Sequence, residues 1–123
     1  MPDEYRLTIE KHPTYLHVKG EGARTAENVL RYFRETHEAC ISSGILDVLM
    51  EMSFTGAGFD FSTIFAVISE RAPHGLKLGR IAYVESSPEQ APRAEFAETM
   101  AVNRGVKVKL FPDLETARRW LAG

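Results

Sequence analysis

Hydrophobic and polar residues alternate along two short runs near the start of the chain. The first run covers residues 5–10 and the second covers 15–19, with Pro13 in the break between them. Such alternation is typical of half-buried β-strands, and a short break containing proline is typical of a hairpin. The pattern therefore predicts a leading β-hairpin that ends at Gly20 and Gly22.

After the hairpin, residues recur at intervals of three and four, which is the spacing of one helical face. Thr25 precedes this pattern and is suited to cap the helix, because its hydroxyl can accept an amide hydrogen from the first turn. Gly44 follows the pattern and is suited to end the helix. The residues on the predicted face are Ala26, Val29, Leu30, Phe33, His37, Cys40 and Ile41.

The rest of the chain alternates between predicted strands and helices. Strands are expected over 45–53, 78–84 and 106–110. Helices are expected from Phe61 to just before Pro73, around the stripe Ala94, Ala97, Met100 and Ala101, and after the capping residue Asp113. In the second helix, the residues expected to face the core are Phe61, Ile64, Phe65 and Ile68.

This order, β-β-α-β-α-β-α-β-α, predicts an α/β fold with a mixed, mostly parallel, five-stranded sheet. Charged residues interrupt the later strands, whereas a sheet covered on both faces would have nearly continuous apolar strands. We therefore expect the helices to lie mainly on one face of the sheet. The interrupting residues are Asp47, Glu51, Arg80, Lys107 and Lys109.

Composition excludes several classes of protein. The 123 residues suit one domain spanning 1–123, and the single cysteine excludes an internal disulfide framework. A net charge of −2 provides no basic surface for nucleic acid. No apolar run approaches the roughly 20 residues that span a bilayer, and the first residues do not resemble a secretory signal. We therefore expect a cytoplasmic protein without nucleic-acid partners or a transmembrane segment.

Short motifs that would indicate an enzyme are incomplete. Gly20 and Gly22 match the first two glycines of a dinucleotide-binding fingerprint, but Thr25 replaces the third. His37 begins a zinc-protease motif, but Ile41 replaces its second histidine. His37 is instead expected to bond a carbonyl or to mark the rim of the core. We accordingly expect no cofactor, no metal and no catalytic residue, and we expect that the protein is not an enzyme.

The segment after the third strand carries the candidate site. It is predicted to be a loop over 54–60 at the carboxyl end of a parallel strand, where open α/β sheets bind ligands. Its two glycines let the backbone approach a ligand, and its two phenylalanines lie outside the helical stripe that would make them core. The candidate binding residues are Phe54, Gly56, Gly58, Phe59, Asp60, Ser62 and Thr63.

The order of elements and the tail of the chain together resemble a known family. The tail reads Phe-Pro-Asp-Leu-Glu-Thr-Ala-Arg-Arg-Trp-Leu over 111–121. With the leading hairpin and the helix–strand units, it is similar to the STAS domain of sulphate transporters and anti-sigma-factor antagonists. The similarity is greatest to the small stand-alone SpoIIAA-like bacterial proteins. The resemblance implies a SpoIIAA-like fold over nearly the whole chain.

In the anti-sigma-factor antagonists, a phosphorylatable serine opens the helix after the third strand. The matching positions here are Asp60, Phe61, Ser62 and Thr63. The resemblance therefore implies Ser62 as the position of a phosphate. The glycine that follows the serine pair in the antagonists is absent, and this absence predicts that Ser62 carries no phosphate.

We expect a non-enzymatic regulatory or binding module that acts through this loop and the start of the second helix. One interpretation is a protein partner, as in the antagonists. The alternative is an apolar or lipid-like small molecule bound by the Phe-rich loop, as related lipid-transfer folds suggest. An enzyme of unrecognised class is a third interpretation. The incompletely covered sheet face and the aromatic loop also favour a homodimer.

Overall fold

One sheet lies at the centre of the computed structural model, which describes residues 4–123. Its five strands are β1 (Tyr5–Lys11), β2 (Leu16–Ala23), β3 (Val48–Thr55), β4 (Ile81–Glu85) and β5 (Val108–Phe111). They lie side by side in the order β1-β2-β3-β4-β5. The first two strands are antiparallel, and all other neighbours are parallel. The predicted mixed, mostly parallel sheet is confirmed.

Four helices cover this sheet unequally. They are α1 (Ala26–Ser43), α2 (Phe61–Gly75), α3 (Ala91–Asn103) and α4 (Leu114–Ala122). Buried residues of α1, α2 and α3 share one apolar cluster with the sheet, whereas α4 packs on a separate cluster on the opposite face. The predicted α/β order with helices mainly on one face is therefore confirmed. Within residues 4–123, no helix is long and apolar enough to cross a membrane.

Side-chain caps begin three of the helices, and those at Thr25 and Asp113 were predicted. Thr25 Oγ1 accepts a hydrogen bond of 3.1 Å from an amide in the first turn of α1. Asp60 Oδ1 and Asp113 Oδ1 each accept one of 2.8 Å at the starts of α2 and α4. Each cap satisfies an amide that has no partner inside the helix. Gly44 ends α1 in the left-handed conformation, with a φ of +75°.

The third strand lies further along the chain than predicted. The pattern predicts a strand over 45–53, but β3 begins at Val48 and ends at Thr55. Parallel pairing with β2 continues to the pair Ala23–Thr55, so the ladder holds the chain extended beyond the predicted end. Phe54 consequently lies in the strand and is only 1% exposed. The prediction that Phe54 belongs to the loop is wrong.

The second strand also extends further than predicted, through Gly20 and Gly22 to Ala23. A Cβ atom at Gly20 would lie 2.5 Å from Cδ1 of Tyr32, so the glycine lets this ring pack directly on the sheet. Gly22 has a φ of +131° and lies against the backbone of Glu4. Both glycines therefore allow close packing within the strand and do not end it.

The second helix departs from the prediction at its carboxyl end. The pattern predicts that it stops before Pro73, but α2 continues through the proline to Gly75. A proline in the last turn removes one backbone hydrogen bond. Ala72 and Gly75 are buried in this turn, and we infer that their packing outweighs the lost bond.

The apolar face of α2 is also rotated from the predicted one. Ile64 and Val67 are buried, whereas Phe61 and Phe65 are 47% and 49% exposed. The ring of Phe61 packs edge-to-face against Phe96 of α3, with 4.9 Å between the centroids. The prediction that Phe61 and Phe65 face the core is therefore wrong. The two rings lie at the surface, where α2 meets α3.

Polar anchoring holds α4 on the second face of the sheet. The guanidinium of Arg80 donates hydrogen bonds to the carbonyls of Trp120 and Leu121, at 2.7 Å and 2.9 Å. The same group pairs with Asp47 at 3.0 Å. Two of the charged residues that interrupt the strand pattern thus fasten the last helix. The apolar cluster between this helix and the sheet joins Ala117 and Leu121 of α4 to Tyr15, Leu49, Ala82 and Val84.

Candidate functional site

A cavity of about 130 Å³ lies between the sheet and the helices α1, α2 and α3. The α3 wall consists largely of small side chains, those of Ala94, Ala97 and Ala101. These methyl groups do not fill the space between α3 and the larger residues opposite. The remaining apolar lining residues are Val29, Phe33, Met50, Met52, Phe59, Ile64, Val67, Ile68, Ala72, Gly75, Ile81, Val106 and Val108.

A buried ion pair borders the cavity where the parallel strands end. Arg24, just after β2, lies 3.5 Å from Glu85 of β4, and both side chains are only 6% exposed. Arg24 also donates a 2.7 Å hydrogen bond to the carbonyl of Phe54. Burial raises the pKa of the Glu85 carboxyl, against the opposing influence of a bond from the Ser87 amide and of Arg24. Within residues 4–123, Arg24 Nε is buried without a hydrogen-bond partner.

Two neutral polar side chains line the same end of the cavity. Gln90, at the end of a short 3₁₀ turn, is 7% exposed, and its carboxamide makes no hydrogen bond to any described residue. Tyr83 of β4 also lines the cavity, and burial raises the pKa of its hydroxyl. This end of the cavity therefore offers hydrogen-bonding groups that the described protein does not use.

The loop between β3 and α2 covers this region. Phe59 is half-buried and lines the cavity, and its carbonyl accepts a 2.6 Å hydrogen bond from Arg93 Nε of α3. Gly58 lies directly against Gln90 and Arg93, so a side chain at this position would push the loop away. Gly56 is exposed, with a φ of +108°. Of the seven predicted binding residues, Phe59 is the one whose side chain lines the cavity.

The three predicted residues at the start of α2, namely Asp60, Ser62 and Thr63, lie outside the cavity. Asp60 Oδ1 accepts hydrogen bonds from the Ser62 hydroxyl at 2.9 Å and from the Thr63 amide at 2.8 Å. These bonds, above all those with Thr63, lower the pKa of the exposed Asp60 carboxyl. Ser62 and Thr63 line a shallow groove between α1 and α2 that is distinct from the cavity. Ser62 is exposed, as predicted.

A second pair of polar residues lines the cavity between α1 and α2. Arg71 Nη2 donates a hydrogen bond of 2.6 Å to Nδ1 of His37, and the His37 ring stacks on His74 with 6.1 Å between the centroids. Burial lowers the pKa of His37 to about 4, with Arg71 and His74 contributing, so the ring is neutral at pH 7. The expectation for His37 was a carbonyl partner or a place at the rim of the core; the structure shows a guanidinium partner and a place at the cavity wall.

The hairpin brings together a third polar group that the sequence pattern did not indicate. Ligand-type atoms of Glu10, His12 and His17 all lie within 4.8 Å of one another. His17 donates a 2.8 Å hydrogen bond to Glu51, and Arg118 lies 3.4 Å from its other ring nitrogen. The nearby guanidinium disfavours a cation at this nitrogen. We therefore assign no metal to this group.

Sequence reasoning located the loop but missed most of the cavity. His37 and Arg71 are 34 residues apart, and no local motif links them. The alanine stripe of α3 was visible, but small residues on a helical face are equally typical of close packing. The sequence does offer one signal for a cavity. It is the combination of that stripe with charged residues on inward faces, such as Arg24 and Glu85.

Comparison with known proteins supports the fold. No protein-family profile matches the chain, and no curated protein is significantly similar in sequence. A solved structure that is similar over nearly the whole chain is that of an uncharacterized protein of the DUF3478 family from Shewanella loihica PV-4, which has a SpoIIAA-like fold. The TM-score is 0.59 at 17% identity, covering 98% of this chain and 96% of that one. The chain therefore has the SpoIIAA-like fold that its sequence predicts.

Proposed function

We propose that this protein is a non-enzymatic module that binds a small, mainly apolar molecule in the cavity under α1, α2 and α3. The observation that carries the proposal is the cavity itself, with apolar walls and unused polar groups at its edge. An apolar cavity of ~150 Å³ is large enough to bind benzene. The cavity of about 130 Å³ is close to this size, so it suits the short hydrocarbon part of a small molecule.

The loop between β3 and α2 gives this binding a route to regulation. Phe59 lines the cavity, and its carbonyl bonds to Arg93 on α3. A ligand that displaces Phe59 would therefore also change the exposed start of α2. This arrangement would couple ligand binding in the cavity to the start of α2, which is the surface through which a regulatory module would act.

The test is to fill the cavity with protein atoms. Ala97→Leu is expected to lower the affinity for 1-octanol about tenfold, because excluding two methylene groups forfeits ~1.6 kcal/mol of transfer free energy. Isothermal titration calorimetry measures the affinity, and native mass spectrometry of the purified protein reports retained ligands and the oligomeric state. Ala122→Leu, on α4 and away from the cavity, is the matched control. Unchanged binding by Ala97→Leu, or no binding by the wild type, would contradict the proposal.

A second candidate function is a protein-interaction module controlled at Ser62. Its support is the exposed Ser62 hydroxyl in the first turn of α2, together with the exposed rings of Phe61 and Phe65 on the same helix, which offer a partner an apolar surface. Negative charge in the first turn of a helix is favourable by ~0.3–1 kcal/mol. The fold therefore tolerates a charge at Ser62, and a partner would detect it.

Two results test this candidate. We expect the melting temperature of Ser62→Asp to lie within a few degrees of that of the wild type. We also expect no phosphate on Ser62 in protein isolated from its native cell, because Asp60 already bonds the hydroxyl and its carboxylate would repel a phosphate. Differential scanning calorimetry and phosphopeptide mass spectrometry check the two results. Stoichiometric phosphoserine at this position would favour the protein-interaction function over the cavity.

A further inference from the structure

We propose that the ligand of the cavity is an anion, such as a carboxylate with a short hydrocarbon tail, and that Arg71 and His37 bind its charged end. This inference rests on the proposed function and names the chemical class of the ligand. It comes from a cation that lines an apolar cavity and lacks a counter-ion among the described residues.

Arg71 is that cation. It lies in α2 on the same side as Ile64 and Ile68 and lines the cavity with them. Its hydrogen bond to His37 uses one terminal nitrogen, Nη2, while Nε is buried without a partner among residues 4–123. Arg71 forms no salt bridge with any carboxylate of the described chain, although five donors are available on its guanidinium.

Two other arginines line the cavity: Arg93 donates to the carbonyl of Phe59, and Arg24 shows how a carboxylate of the protein can balance such a charge. Arg24 is paired with Glu85 at 3.5 Å and donates to the carbonyl of Phe54 at 2.7 Å. Its charge is therefore balanced by the protein. Arg71 is half-buried, and among residues 4–123 its one hydrogen-bond partner is the neutral ring of His37. A ligand that shields this charge from water would have to supply the negative charge that the described protein does not place there.

The state of His37 suits this role. Arginine can only donate hydrogen bonds, so Nδ1 of His37 accepts, and the neutral ring carries its hydrogen on Nε2. No described residue accepts a hydrogen bond from Nε2. His37 also lines the cavity, so its Nε2–H and the terminal guanidinium hydrogens that Arg71 does not give to His37 are donors beside one apolar space. A carboxylate has two oxygens and can accept from both groups.

More distant charges do not replace the missing partner. Glu70 and Glu38 raise the pKa of Arg71, but the largest influence is burial, which lowers it. Burial therefore outweighs the attraction of these carboxylates. An anion in the cavity would contact the guanidinium directly, in a region of low dielectric constant where such a pair is strong.

The rest of the cavity fixes the position of the tail. From Arg71, the lining continues along α2 to Val67 and Ile64 and across to Met52 of the sheet. These walls are apolar, so they accommodate hydrocarbon and do not bond a second charge. The ligand is thus expected to have one charged end and one apolar end.

The experiment compares octanoate, 1-octanol and acetate as ligands in calorimetric titrations. Wild type is expected to bind octanoate at least tenfold more tightly than 1-octanol, and acetate too weakly to measure. Arg71→Gln is expected to weaken octanoate at least tenfold and to leave 1-octanol within threefold. Arg71→Lys keeps the charge but loses the planar guanidinium, so its affinity for octanoate should lie between those of the wild type and Arg71→Gln.

Arg119→Gln, which removes the same charge from the exposed face of α4, is the matched control and should bind both ligands like the wild type. Equal affinity of the wild type for octanoate and 1-octanol would contradict the proposal that the ligand is an anion, but it would not contradict binding in the cavity. If acetate bound as tightly as octanoate, the proposal of an anion with a hydrocarbon tail would also be wrong. Binding of neither octanoate nor 1-octanol would contradict the proposed function itself.

Discussion

Phe54→Ala is expected to lower the free energy of unfolding by about 3–5 kcal/mol, the range typical of a buried phenylalanine. The side chain is 1% exposed, and its ring contacts Tyr32 edge-to-face with 5.7 Å between the centroids. It also stacks on Tyr5 at 6.4 Å. Removing the ring leaves a void where β1, β3 and α1 meet. Equilibrium unfolding in urea measures the loss.

Phe59→Ala is the natural control, since the two aromatics were predicted to share one loop. Phe59 is half-buried at the cavity wall, so its removal should lower the free energy of unfolding by less than about 2 kcal/mol and mainly weaken ligand binding. An equally small effect of Phe54→Ala would mean that Phe54 is not part of the core. An equally large effect of Phe59→Ala would mean that the loop belongs to it.

Gly20→Ala is expected to lower the free energy of unfolding by ~1–3 kcal/mol, the range typical of overpacking. The added methyl group would lie 2.5 Å and 2.8 Å from two ring atoms of Tyr32 and 3.0 Å from the ring of Phe54. Tyr32 is fully buried and cannot move aside easily, because its hydroxyl donates a 2.7 Å hydrogen bond to the carbonyl of Val18. Thermal unfolding followed by circular dichroism measures the effect.

A double-mutant cycle separates this clash from any general effect of replacing glycine in a strand. In a Tyr32→Leu background, the ring atoms that the methyl group would meet are absent. The extra destabilisation caused by Gly20→Ala should therefore be much smaller there than in the wild type. Additive effects of the two changes would show that Gly20 is not required by the Tyr32 ring.

The sequence was a good guide wherever a local rule decides the structure. The caps Thr25, Asp60 and Asp113 were predictable, because each is a short side chain beside the first turn of a helix with an apolar face. The order of strands and helices followed from periodicity alone. In both cases the interactions concerned are close along the chain.

The sequence was a poor guide where contacts between elements that are distant along the chain decide the structure. Phe61 and Phe65 satisfy helical spacing as well as Ile64 does, and only the position of α3 determines which residues face the sheet. Phe54 was misplaced because the strand is prolonged by its pairing with β2. The polar pair at the cavity joins two helices, so no pattern along either of them could indicate it.

The order of the strands in space repeats their order in the chain, and this has a consequence for biosynthesis. Each strand that emerges from the ribosome can join the edge left by the one before it, without waiting for a distant segment. The wall of the cavity, however, includes Val106 and Val108, just before and at the start of the fifth strand of the sheet. A ligand that uses the whole cavity therefore binds only after all five strands have been made, so binding reports that the sheet is assembled.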